Sequence, residues 1–176
     1  TLVYCISREI FVKTEIGAYE AKTRLPELLR LVRAGRKFTM TNRGKAIAVD
    51  TLGNAYIAGD TTSTQSSFPM TVGPDLTHNG GTDAFVAKVN AAGTALIYAG
   101  FIGGSGTDRG NAIAVDSSNR AYVAGSTNSQ GTSFPGGTGF GVLVSFDIVE
   151  SGGLDGFVVR VAANGSALEY ASYLGG

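Results

Sequence analysis

The sequence predicts a small α+β module followed by an all-β region made of two four-stranded antiparallel units that do not close on themselves. Three observations carry this reading. Charge and glycine are split along the chain: residues 1–49 hold ten Lys/Arg against four Asp/Glu and three of the 26 glycines. Residues 50–176 hold four Lys/Arg against ten Asp/Glu and the remaining glycines. A helical apolar stripe occurs near the start, and a long stretch after it repeats itself. A split of this kind marks segments with different surfaces and different partners, and divides the chain into domains at 1–49 and 50–176.

The first module reads strand, helix, helix, hairpin. Residues 11–16 (FVKTEI) suit a short strand. Ala18–Arg24 is a helix-forming stretch, and Pro26 fits the first turn of a second helix. Leu25, Leu28, Leu29 and Val32 fall at i, i+3, i+4 and i+7, one helical face, and Gly35 reads as its cap. KFTMTN (37–42) alternates as a strand, Asn42-Arg43-Gly44 is a turn, and Lys45–Val49 is the return strand.

The β region is organised by its repeat. GKAIAVD (44–50) returns as GNAIAVD (110–116), AYIAGDT (55–61) as AYVAGST (121–127), and Phe68-Pro69 as Phe134-Pro135, all 66 residues on. DAFVAKVNAAGTALIYAGFIGG (83–104) returns as DGFVVRVAANGSALEYASYLGG (155–176), 72 residues on. The second copy therefore has six extra residues, expected near GVLVSFDIVE (141–150) as an added strand or a long loop. The copies span about 44–109 and 110–176. Each holds four apolar segments: about 45–50, 54–61, 83–90 and 95–102, then 111–116, 120–127, 155–162 and 167–174. Four antiparallel strands per repeat is the unit of a β-propeller blade. Two blades cannot close a ring of four to eight, so the reading is a fragment, a ring shared by several chains, or open packing with exposed edges, and a homo-oligomer is expected.

Two resemblances add to this. YEAKTRLPELLRLVRAG followed by KFTMTNRGKAIA, within residues 11–49, resembles the N-terminal domain of Phd/YefM-type antitoxins. That resemblance implies a cytoplasmic, dimeric regulator binding operator DNA of a toxin–antitoxin operon. Lys22, Arg24, Arg43 and Lys45 are its candidate phosphate contacts, by charge and by position near the helix start and hairpin. The family's toxin-neutralising tail is missing past Val49, so the cognate toxin is not carried over as a partner. Residues 44–176 resemble two SBBP-type β-propeller repeats, through A-I-A-V-D, A-Y-V-A-G-x-T, F-P and D-A-F-V-A-K-V-N-A-A-G-T-A-L. That resemblance implies a scaffold or binding surface, often in surface-associated or secreted proteins. Gly44–Asp50 satisfies both patterns, so one strand is wanted by two sheets.

The expected function is thus an antitoxin-like DNA-binding regulator module fused to β-propeller repeats. The alternative is a non-enzymatic structural or protein-interaction repeat protein, or a fusion or fragment without evolved function. No enzyme activity, cofactor or metal is expected. Cys5 and His78 are the only residues of their kinds, too few for a zinc site, and no Ser is patterned against His78. GGSGTDRG (103–110) lacks the lysine of a phosphate loop and leads into a strand. Asp50, Asp60, Asp83, Asp108, Asp116 and Asp155 recur near turns without a calcium-loop spacing, and read as turn caps. Tyr56, Tyr98, Tyr122, Tyr170 and Tyr173 read as sheet packing. No apolar run is long enough to span a membrane, and no secretion signal is seen, which with the antitoxin pattern gives a cytoplasmic expectation.

Overall fold

A computed structural model describes residues 15–17, 39–42, 45–137, 139, 141 and 143–175. These residues are all-β, with ten strands and no helix among them. The α+β class is therefore corrected. The two helices expected between residues 18 and 35 lie outside the described residues. The hairpin strands, instead of standing apart, extend a blade.

The first sheet contains β1 (Glu15–Gly17), β2 (Thr39–Asn42), β3 (Lys45–Val49), β4 (Ala55–Thr61), β5 (Asp83–Val89) and β6 (Leu96–Ile102), in that spatial order. The second contains β7 (Asp108–Val115), β8 (Ala121–Thr127), β9 (Asp155–Val161) and β10 (Leu168–Leu174), again in sequence order. β3–β6 and β7–β10 are four-stranded antiparallel meanders. β3 is bonded on both sides. Met40 pairs with Ile47 and Asn42 with Lys45 on one edge, while Ile47 pairs with Ile57 and Val49 with Ala55 on the other. A strand has two ladder edges, so Lys45–Val49 pairs with β2 and β4 at once, and β1 adds to β2 in parallel.

The hairpin turns are fixed by one aspartate per blade. Asp50 Oδ1 accepts the Leu52 and Asn54 amides at 3.0 and 2.9 Å. Asp116 Oδ1 accepts those of Ser118 and Arg120, both at 2.9 Å. The turns need a left-handed residue, supplied by Gly53 (φ 88°) and by Asn119 (φ 62°), the two residue types that adopt it most cheaply.

Each blade also covers its own outer edge. In the first, the Ala99 and Phe101 amides donate to the Val72 and Asp75 carbonyls, both at 2.8 Å. In the second, the Ala171 and Tyr173 amides donate to Val144 and Asp147, at 3.3 and 3.1 Å. The long loops thus run along β6 and β10 and occupy ladder groups that would otherwise be open to another strand. This register also relocates the six extra residues. Val72 and Val144 are equivalent, so the insertion lies between Pro135 and Val144, upstream of most of residues 141–150. Residues 144–147 are the common edge segment, not an added strand.

The two blades stack face to face, with β7 lying against β3, β4 and β5. One core joins them: Tyr56, Ala58, Val86 and Tyr98 from the first blade, and Val123, Phe157, Val159 and Tyr173 from the second, all fully buried. Burying a Val or Phe side chain is worth about 1.5–3 kcal/mol, so this seam is a main source of stability for both sheets.

Candidate interaction face

Equivalent strands in the two blades bury opposite faces. On β4, Tyr56 and Ala58 are buried while Ala55 and Ile57 are half-buried. On β8, Ala121 and Val123 are buried while Tyr122 and Ala124 are half-buried. The third strands agree: Val86 and Lys88 are buried, and their counterparts Val158 and Arg160 are half-buried. Ala46 is buried in β3, and its counterpart Ala112 is exposed in β7. The motif is the same; its neighbour differs. The first blade's face is covered by the second blade, and the same face of the second blade is open.

The covered face shows what such a face holds. Tyr56 and Tyr98 meet edge-on, with ring centroids 6.2 Å apart, and the Lys88 ammonium sits 4.7 Å from the Tyr56 ring. The Tyr56 hydroxyl donates to Asp50 Oδ2 at 3.2 Å and lies 3.3 Å from the Asn119 carbonyl, in a turn of the second blade. Burial pushes the Tyr56 and Tyr98 phenols well above their ordinary value, with the Asp50 charge adding to it. Burial works against the Asp50 charge, but bonds from Asn54, Tyr56 and Leu52 outweigh it and hold the carboxyl below its usual range. Gly165, at φ 77°, presses so closely on the Tyr98 ring that a Cβ there would collide with it.

The open face carries the counterparts in a more polar setting. Tyr122 and Tyr170 again meet edge-on, at 6.4 Å, and the Arg160 guanidinium lies 4.8 Å from the Tyr170 ring. Arg160 Nε pairs with Glu169 Oε2 at 2.6 Å, and Arg120 Nε with Asp116 Oδ2 at 2.7 Å. The Arg120 amide and guanidinium, with Tyr122 and Ser118, lower the Asp116 carboxyl to about 2. Beside this face the edge loop exposes Val144, Phe146, Ile148, Val149 and Leu154. A cluster of exposed apolar side chains of this kind marks an interaction surface. The insertion also leaves a groove of about 470 Å³ between residues 130–132 and 139–150.

A second group of aspartates opens the third strand of each blade and the first strand after the seam. Asp83, Asp108 and Asp155 each accept the amide four residues earlier, from Asn79, Gly104 and Ser151, at 2.8, 2.9 and 2.8 Å. Asp83 and Asp108 are fully buried and flank Gly103, and burial raises both carboxyls above their ordinary value. Sequence reasoning found them as turn residues but gave no signal of their burial. Among the described residues, no group of three or more His, Cys, Asp or Glu is placed to hold a metal ion. The His78 ring stands edge-on to Phe101, at 5.6 Å.

Of the four candidate phosphate contacts, Lys22, Arg24 and Arg43 lie outside the described residues. Lys45 folds back on its own blade: its ammonium bonds the Asp60 carbonyl, lies 3.9 Å from Asp60 Oδ1 and 5.0 Å from the Phe85 ring centroid. All five tyrosines expected to pack within strands lie in them, and the Tyr173 hydroxyl donates to the Ser129 carbonyl at 2.6 Å.

The β-propeller repeat model of the SBBP family matches residues 41–65 and 98–131. These two stretches are similar to SBBP β-propeller repeats. The first match covers β3, β4 and their turn, and the second runs from β6 through the seam into β8, so the SBBP pattern includes the junction between blades. A comparison with curated proteins finds no match. No finding supports the antitoxin resemblance, and the SBBP reading accounts for the strand both patterns claimed. Among the described residues, no helix is long and apolar enough to cross a membrane.

Proposed function

We propose that this SBBP repeat chain is a non-enzymatic structural module that binds protein through the open face of its second blade. The observation that carries this is the reversal of burial between AYIAG (55–59) and AYVAG (121–125): the face that is core in one blade is surface in the other. The second blade's outer edge is already occupied by residues 144–147, so binding uses the sheet face and the flanking loop, not strand addition at that edge. With one histidine and one cysteine in the chain, side-chain chemistry for catalysis is sparse.

The test is a photo-crosslinking residue placed at Ala124, on the open face, in cells that express the protein, with the exposed turn residue Ser118 as control. A discrete crosslinked protein product at Ala124, absent from the control, is expected. Crosslinks at Ala124 no different from those at Ser118 would remove the reading.

A further inference from the structure

We propose that the open face of the second blade receives the first blade of another copy of this chain, head to tail. The inference rests on the interaction-face reading above and names its partner. It stands on the interface already built inside the chain. There, the covering surface is the side of the second blade bearing Ile113, Val123, Phe157 and Val159. The repeat counterparts of those residues on the first blade are Ile47, Ile57, Phe85 and Ala87. They form the opposite side of that sheet, where Ile47, Ile57 and Phe85 are only half-buried. The chain therefore presents both halves of one interface: an open receiving face on the second blade, and on the first a covering face where Ile47, Ile57 and Phe85 are half-buried and Ala87 is buried.

The turns match as well. In the internal interface Asn119 supplies the carbonyl near the Tyr56 hydroxyl, and Gly165 seats on Tyr98. Their counterparts on the first blade are Gly53 and Gly93, which hold the same left-handed conformation at φ 88° and 71°. Gly165 is buried under Tyr98, whereas a Cβ on Gly93 would meet nothing within 4 Å. Gly93 thus has the shape needed to seat on a tyrosine ring and has none beneath it among the described residues, while Tyr170, the equivalent ring, is half-buried with the Arg160 guanidinium 4.8 Å away. The internal surface is also built for close backbone approach: a Cβ on Gly110 would lie 2.9 Å from the Gly59 carbonyl.

A head-to-tail contact is heterologous, so it either closes into a ring or continues as a filament.

The experiment is sedimentation velocity on the full chain and two face variants. Val158→Asp alters the receiving face and Ile57→Asp the covering face; Gly93→Asn, which keeps a residue tolerant of the left-handed conformation, replaces Ile57→Asp if circular dichroism shows that variant unfolded. At about 100 µM, where an interface of micromolar affinity is largely filled, the unaltered chain is expected as a multimer. Each variant alone is expected as a single chain, and an equimolar mixture as a pair, since one good interface remains between them. A single-chain mass for the unaltered protein, or variants that still form the multimer, would overturn the proposal. If the crosslink at Ala124 captures a different protein and the chain sediments alone, the interaction-face reading survives and this one does not.

Discussion

The two blades are nearly the same sequence placed in different company. In the first, AYIAG, AFVAK and LIYAG surround a covered tyrosine pair; in the second, AYVAG, GFVVR and LEYAS surround an open one. The difference teaches that which side of a repeat strand is core is set by its neighbour in the stack. Both sides of these strands carry apolar residues because an interior blade must pack on both. On the side left open here the sequence differs slightly: Lys88 is matched by Arg160 and the exposed Ile97 by Glu169, and Arg160 pairs with Glu169.

The sharpest break of this comparison is a charge placed at one repeat position in each blade. Val86→Asp puts an unpaired carboxylate into the seam and is expected to cost about 4 kcal/mol or more, or to prevent folding, by denaturant titration. Val158→Asp, its counterpart, is expected within about 1 kcal/mol of the unaltered chain when measured in dilute solution. Similar losses for both would mean that the faces are not distinct.

A smaller difference is expected at the turn glycines. Gly93→Ala carries only the left-handed strain, of about 1 kcal/mol. Gly165→Ala adds a collision with the Tyr98 ring, which overpacking values put at about 1–3 kcal/mol more. Equal midpoints in urea would show that the second blade's turn does not rest on Tyr98.

Smaller still is the effect of removing single hydroxyls. Tyr56→Phe loses bonds to Asp50 and Asn119, and is expected to cost about 1 kcal/mol by thermal unfolding. The Tyr98 hydroxyl is buried with no hydrogen-bond partner among the described residues, so Tyr98→Phe is expected to be neutral or stabilising by up to about 1 kcal/mol. A larger loss at Tyr98 than at Tyr56 would reverse the assignment.

The least effect is expected from pH. The Asp83 and Asp108 carboxyls are raised by burial in the folded chain, so the folded state holds their protons more tightly than the unfolded one. Their contribution to stability is complete below the ordinary value of 3.8 and is lost as pH rises through the raised folded values. Stability contributed by these two groups should thus increase as the solution is taken from neutral toward mild acid. Asp108→Asn should flatten that dependence, measured as the urea midpoint against pH; an unchanged slope would contradict it.

Much of the fold was legible because a repeat reports its own boundaries. Seven of the eight blade strands lie within one residue of the expected segments; β7 begins at Asp108 instead of 111, because the seam loop feeds directly into the ladder. The faces were not legible. Alternation marks two sides of AYIAG but cannot say which meets a neighbour. The insertion was misplaced because spacings of 66 and 72 bound a gap without locating it, and only the bonds from Ala99 and Ala171 fix the register. Sequence places the hairpin in a separate α+β module because Gly44–Asp50 fits two patterns, and sequence alone gives no sign that Lys45–Val49 pairs along both its edges within one sheet. Turn capping was readable at Asp50 and Asp116, where the partners follow within four residues. Asp83 and Asp108 are buried around Gly103 between the blades, a setting that no local pattern encodes.

The most direct test of the reversed burial is hydroxyl-radical footprinting of the four face tyrosines across protein concentration. In dilute solution Tyr122 and Tyr170 should oxidise faster than Tyr56 and Tyr98, and that excess should shrink as concentration rises and second copies cover the open face. Equal oxidation of all four at every concentration, or faster oxidation of Tyr56 and Tyr98, would contradict the account.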